Sequence, residues 1–382
     1  MLDFPRWKTW LVIVSTAFGL ILAIPSLMTA AQRAAVLPDW IAKVHINLGL
    51  DLSGGSQLLL EADVADVKKQ QIDQMEDVVR DVLRKAEPKI EISDIATSDG
   101  KLAFMVRDAK LLDTAVDLLN KQTAGVALTG QKDWTIRIED STRIVMQPTD
   151  AGTTARIAEQ IDTARNVVAK RIDPDGTKEV TVVKQGADRI LVQVPGLQDP
   201  EQLKRLLGKT AKLEFKAVDL TADPAEVAQG HAPIGSIIVP TSEGGKIALK
   251  RKAVVSGEDL NSARQDFDEN GAVIVSLSFN SQGGKKFGRW TVDNVGKPFA
   301  IVLDDIVLQS PNIREPILGG NAQISGGFTV DSANELAITL RSGKLPVALR
   351  VMDQRSVGPE LGQDSIRSGV IAGVVATIAL IF

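Results

Sequence analysis

Two kinds of apolar pattern alternate along the chain. The first is unbroken: from Trp10 to Ala31 (WLVIVSTAFGLILAIPSLMTAA) no charged side chain occurs. A helix rising about 1.5 Å per residue over such a run crosses a bilayer core of about 30 Å. Trp7 and Trp10 stand where interfacial aromatics anchor a span, and Arg6 and Lys8 ahead of it favour a cytoplasmic N-terminus. The run reads as an uncleaved anchor. The alternative is a signal peptide cut at Thr29-Ala30-Ala31, whose apolar region is normally shorter, about 7–15 residues. The last residues, GVIAGVVATIALIF (369–382), are equally apolar but too few to cross, and read as the start of a second membrane helix.

Between these runs the apolar positions are periodic. Val64 to Lys85 places Met75, Val78, Val79 and Val82 at helical spacing, with Pro88 as the stop. IEISDIATSDGKLAFMVRD (90–108) reads as two strands about a Ser-Asp-Gly turn, and a second helix is predicted near 109–121. The unit recurs. Ile72-Asp73 and Val78-Val79 correspond to Ile161-Asp162 and Val167-Val168, Leu102, Phe104 and Val106 to Ile190, Val192 and Val194, and Leu118-Leu119 to Leu206-Leu207. That period is too long for a solenoid. Two related α+β modules account for it, or a chance likeness of two ordinary α/β patterns.

In the second copy Asp199 is expected to cap a helix that starts at Pro200 and ends at Gly208. KLEFKAV (212–218) sets Leu213, Phe215 and Ala217 against lysines and Glu214, the pattern of a half-buried strand. From about 219 the style turns β-rich and glycine-dotted, with VIVSLSF (273–279) and FAIVLDDIVL (299–308), whose Asp304-Asp305 reads as a hairpin turn. After Gly319-Gly320 the helix–strand style returns. Asp331 is expected to cap SANELAITLRS, Gly343 to end it, and PVALRV (346–351) to form a last strand. One style interrupting another is the mark of an inserted domain.

Composition narrows the chemistry. A net charge of -4 and a pI near 5.5 leave no basic field to collect phosphates, so nucleic acid is not a partner. The chain has no cysteine, no tyrosine, and only His45 and His231, which removes thiolate, disulfide and most imidazole chemistry. Gly208-Lys209-Thr210 ends like a phosphate loop, but Leu203 stands where that motif needs glycine. No catalytic, metal or cofactor residues are assigned. LGLDLSGGSQLLLEAD (48–63) likewise lacks the spacing of a dinucleotide loop. Its Gly49, Asp51, Gly54 and Gly55 read as the turn by which the chain leaves the membrane and begins its first strand, with Asp51 accepting backbone N–H groups. The pairs Gly319-Gly320 and Gly326-Gly327 read as tight turns, or more sharply as a candidate hinge where the inserted domain rejoins its base.

Several stretches, in order, resemble one family. LGLDLSGGSQLLLEAD after a first membrane helix, RNVVAKRID with LVQVPGL, AKLEFK, FNSQGGKKFGRWT, AIVLDDIVLQSPNI, ISGGFT and LPVALRV are similar to blocks of the SecD family, accessory subunits of bacterial protein export. SVGPELGQDSIRSG (356–369), with Gly358, Pro359, Gly362 and Asp364, resembles the lead-in to that family's second membrane helix. Ser53 departs from the residue relatives often carry. The resemblance implies an α+β fold: a first transmembrane helix in 1–32, the first base strand and an additional α+β module in 45–147, and a periplasmic ferredoxin-like base in 148–218 and 319–355. Between the two base parts it implies a β-rich inserted head in 219–318, and after them a second transmembrane helix beginning in 366–382. It further implies a transport component of the bacterial inner membrane rather than an enzyme. That component would use the proton gradient to help draw secreted chains outward by periplasmic capture and conformational change. The partners implied are SecF, the Sec translocation channel, a YajC-type accessory subunit, an unfolded polypeptide in transit and membrane lipid. The family's proton-relay carboxylate lies in a later membrane helix, and neither apolar run here holds one. A membrane-anchored periplasmic binding or scaffold protein without energy coupling is the alternative.

Overall fold

The computed structural model describes residues 54–123, 130–176, 180–197 and 199–358, with a few helical positions near each end. The spans expected at 10–31 and 369–382 fall largely outside the described residues, among which no helix is long and apolar enough to cross a membrane. Contacts divide the chain into two units, 1–56 with 194–198 and 356–382, and 57–193 with 199–355.

The larger unit begins in strand β1 (Gly55–Ala62). Asp63 then caps helix α1 (Val64–Lys85), which buries Val67, Ile72, Met75, Val79 and Leu83 along one stripe. Strands β2 (Ile92–Ser98) and β3 (Lys101–Val106), helix α2 (Leu112–Asn120), and strands β4 (Trp134–Glu139) and β5 (Arg143–Pro148) complete a module. Its antiparallel sheet runs β2-β3-β5-β4. Phe104, Leu119, Ile144 and Met146 are fully buried against α1 and α2. Helix α3 (Asp150–Ile172), strands β6 (Thr181–Gln185) and β7 (Arg189–Pro195), and helix α4 (Pro200–Leu207) repeat the helix–strand–strand–helix order. The repeat places the same positions inward: Ile72 and Ile161, Val79 and Val168, Phe104 and Val192, Leu119 and Leu207 are all buried. With the last strand, β16 (Leu349–Val357), this second copy forms a sheet ordered β16-β1-β7-β6. Taken in chain order, its strands lie as fourth, first, third, second, the arrangement of a β-α-β-β-α-β unit.

The chain leaves this base once, after Leu207, and returns once, after Ser342. Between those points β8 (Leu213–Val218), α5 (Pro224–Gln229), β9 (Ser236–Pro240) and β10 (Lys246–Ser256) are followed by β11 (Leu260–Phe267) and β12 (Val273–Phe279). Then come α6 (Ser281–Asp293), β13 (Phe299–Leu303), β14 (Ile306–Gln309), β15 (Asn321–Ile324) and α7 (Val330–Ser342). Two sheets result, β14-β13-β8-β10-β9 and β11-β12-β15. They share one core in which Phe215, Phe279, Phe287 and Phe299 meet with ring centroids 5.2–6.1 Å apart. Each such pair adds about 0.5–1.5 kcal/mol beyond its burial.

Several expectations shift at this point. The boundaries at 218/219 and 318/319 fall inside sheets, because β8 pairs with β10 and β13, and β15 pairs with β12. Strand β8 is covered on both faces. Lys216 is only 5% exposed and pairs with Glu214 at 3.2 Å, since β8 is the central strand of five. Its second face adjoins a separate cluster of Val239, Leu249, Ala300, Val302 and Val307. Helix α7 is capped by Thr329, two residues before Asp331, in a capping box with Ser332. The last strand begins at Leu349, not at 346. Asp304 and Asp305 do form the β13–β14 turn, both with positive φ, 50° and 61°. The module also reaches the part between the two crossings: buried Glu76 of α1, held by Arg80 at 2.8 Å, pairs with Arg251 of β10 at 3.3 Å.

The exit from β8 is organised by Asp219, buried and bonded to Thr221, Ser236 and Lys250, the last at 2.7 Å. The Lys250 ammonium first, then the Ser236 and Thr221 hydroxyls, hold its carboxyl well below the usual carboxylate range. A carboxylate depressed on folding stabilises fully above its unfolded pKa, about 4, and less as pH falls below that. Asp219→Asn is therefore expected to melt below the parent at neutral pH, with the gap narrowing as the pH drops under about 4. A gap independent of pH, measured by thermal melting across that range, would rule out the charge as the stabilising element.

Candidate functional site

In the smaller unit, Gly54 and Gly55 have φ of 66° and 141°, a region that favours glycine. The turn lies directly on the segment 194–197. Gly54 O accepts from Gly196 N at 2.9 Å, and fully buried Ser56 donates its Oγ proton to Leu197 O at 2.7 Å. A Cβ on Gly55 would collide with Val194 O, and would stand 2.9 Å from both Gly196 N and Pro195 Cα. Two stretches separated by about 140 residues, GGS and VPGL, thus meet backbone to backbone. Gly49 and Asp51 lie outside the described residues, as do Pro359, Gly362 and Asp364; Gly358 is exposed with open space about it.

The other glycine pairs sit within the larger unit. Gly320 O accepts from Phe279 N at 2.8 Å, and a Cβ on Gly284 of α6 would meet Gly320 Cα at 3.4 Å. Gly320 therefore packs against α6, and neither Gly319 nor Gly320 lies at the 207–213 or 342–349 crossing. Gly326 and Gly327, φ 157° and 66°, form the bend before the Thr329 cap.

Sequence reasoning did not single out the open groove of about 880 Å³ between α6 and β10. Ala217, Val254 and Trp290 line it with apolar surface, and Lys252, Lys286 and Arg289 together with Asp259 and Asp293 line it with charge of both signs. Lys286 is paired with Asp259 at 3.1 Å. Trp290 is held by stacking on Phe287 and an edge contact with Phe299, at centroid distances of 6.4 Å. Among the described residues no group of His, Cys, Asp and Glu could hold a metal. The arrangement offers surface and geometry: an apolar trough edged by charges of both signs, beside an aromatic core.

Comparison with known proteins places these features. The family model for the SecD/SecF GG motif matches residues 40–66, that for the SecDF P1 domain, N-terminal, 161–220, and that for the SecDF P1 head subdomain 236–347. The protein translocase subunit SecD of Rickettsia bellii is 38% identical over 381 residues, covering 100% of this chain and 71% of that one. The chain belongs to the SecD family. The SecD of Acetobacter pasteurianus is 38% identical over 343 residues, covering 88% of this chain and 64% of its own. A solved structure of SecDF in a super-membrane-facing form matches with a TM-score of 0.51 and 26% identity, over 96% of this chain and 38% of that one. The span matched by the SecD/SecF GG motif includes the Gly54-Gly55 contact described above, and the SecDF head match includes β15 and α7, which pair with β12 and pack on β11 respectively.

The two glycines of the turn differ in what they can tolerate. Gly54→Ala places a side chain in the left-handed region at a cost of about 1 kcal/mol. Gly55→Ala adds a backbone collision and should cost about 3 kcal/mol or more. Thermal melting of the two variants, with protease cutting near 54–60 as a local readout, should separate them in that order. Equal effects would refute the close approach at Gly55.

Proposed function

We propose that this chain acts as a SecD-type export subunit, holding an emerging polypeptide with its head on the outer side of the bacterial inner membrane. The observation that carries the reading is family membership over the whole chain, joined to an open apolar groove on the part matching the P1 head. An unfolded segment presents a hydrated backbone and scattered apolar side chains. A shallow trough lined by Trp290 and Val254 gains from covering those side chains without reading a sequence.

In this reading the helical positions near the two ends belong to membrane spans. Their described apolar residues are exposed: Trp10 by 66%, Val375 by 60%. The N-terminus lies in the cytoplasm, 57–355 in the periplasm, and the Gly54-Gly55 turn joins the first span to the periplasmic part. SecF, the Sec channel and a YajC-type subunit are the partners, and proton-gradient coupling rests on membrane segments outside the described residues. The organisation is a ferredoxin-like base, an α+β module in 64–148 inserted after its first strand, and a head from 213 to 342. Of the glycine pairs, 319–320 supplies, through Gly320, close packing under α6 in preference to a hinge.

The test is site-specific photocrosslinking in cells with a stalled secretory precursor. A benzoylphenylalanine at Lys252 or Arg289 should label the precursor, and one at exposed Arg137 of β4 should not. Labelling confined to Arg137 would overturn capture by the head. Normal export from cells whose chain lacks 213–342 would favour a scaffold role.

A further inference from the structure

Arg171, in the last turn of α3, is 1% exposed and uses all five of its N–H groups. Its Nε donates to Ser342 Oγ at 3.1 Å. One terminal nitrogen donates to Leu206 O at 3.1 Å and to Lys209 O; the other donates to Thr210 O at 3.1 Å and Gly343 O at 3.2 Å. None of these acceptors is a carboxylate. They belong to the two places where the chain crosses between base and head: 206–210 lies on the outward crossing, 342–343 on the return. The crossings also touch each other, since Leu345 N donates to Thr210 O at 2.7 Å.

The head closes the same knot from its own side. Asp304, at the tip of the β13–β14 hairpin, accepts from Thr210 Oγ1 and from Lys212 N at 2.9 Å, and its own N–H returns to Lys212 O at 3.1 Å. Between Thr210 and Lys212 the buried Ala211 is held at φ 60°, a conformation an L-residue keeps only where its surroundings over-determine it. Burial is the main influence on Arg171, lowering its pKa to about 10, and the charge of Asp304 opposes that. The group stays cationic at neutral pH, where loss of its acceptors would leave a charge unsolvated.

We propose that Arg171 is the positioning residue that sets the head on the base, by tying both crossings to the end of α3. The inference rests on reading 213–342 as a head whose placement matters for export. It predicts that losing the fork frees the placement while each sheet stays folded. Lysine offers three donors from one point and cannot span the set of acceptors; methionine offers none.

The test uses the full chain in nanodiscs. The parent has no cysteine, so spin labels enter only at Gln185→Cys on the base and Glu269→Cys on the head, both exposed positions. Electron–electron resonance should give a narrow distance distribution for the parent and a broader one for Arg171→Met, with Arg171→Lys between them. Hydrogen exchange at 206–212 and 343–348 should speed up about tenfold, the loss of about one charge-assisted hydrogen bond, while 190–194 and 273–279 keep their protection. If Arg171→Met does not fold, Ser342→Ala removes one acceptor and should raise exchange at 342–345 alone. A distribution as narrow as the parent's beside a lowered melting temperature, or exchange raised equally everywhere, would make Arg171 an ordinary core residue and overturn the proposal. Export is scored separately: a broadened distribution with normal export upholds the positioning role and counts against the export reading. Failed precursor crosslinking with an intact distance effect does the same.

Discussion

A guanidinium taken out of water must be given five acceptors, and that requirement organises the larger unit. Arg171 finds them on three segments, the end of α4, the turn after it, and the end of α7, so those segments meet at one point. Backbone carbonyls do not titrate, so the knot keeps these acceptors across the pH range in which Asp219, at the far end of β8, changes its contribution. Burying a charge for this purpose is expensive, and an apolar side chain would fill the same space. What the charge supplies is direction: a planar fork can be satisfied in one arrangement of the crossings, whereas an apolar contact accepts many.

Much of the architecture was legible because local signals agreed with each other. Helix α1 runs over the residues its periodicity marks, with Asp63 at its head, and α4 starts at Pro200 after Asp199 and is stopped by Gly208. The internal repeat survives as two copies of helix–strand–strand–helix with matching buried positions. Boundaries between subdomains were less legible, because sheet pairing is nonlocal. Nothing in KLEFKAV says that β8 joins the head sheet, or that a lysine in it is buried beside Glu214.

The helix that periodicity does not mark is α6: SQGGKKFGRWTVD carries three glycines in a stretch read only as β-rich and glycine-dotted, and it is a helix capped by Asn280. Packing explains the composition: a Cβ at Gly283 would sit 2.6 Å from Asp259 Cβ, and Gly284 faces Gly320. Propensity was surrendered to bring two backbones together, and the Asn280 cap with Phe287 and Trp290 three apart was the available signal. The site was legible in part for the same reason. Two adjacent glycines announced a turn, but only the fold shows that Gly55 lies against 194–196 and that the groove under Trp290 exists.

The contact between Glu76 and Arg251 bears on how firmly the placement proposed for the head is held. Two tethers knotted at a single residue behave as a ball joint: they fix a point and leave rotations about it. The α1 helix, inserted early in the base, supplies a strut to β10, and Arg251 lies along β8 beyond the knot, between the register pairs Leu249–Val218 and Ala253–Lys216. A contact placed away from the crossings restrains rotation about them at the expense of one ion pair. The module inserted after the first strand is thus tied to β10 through Glu76 as well as being an added domain.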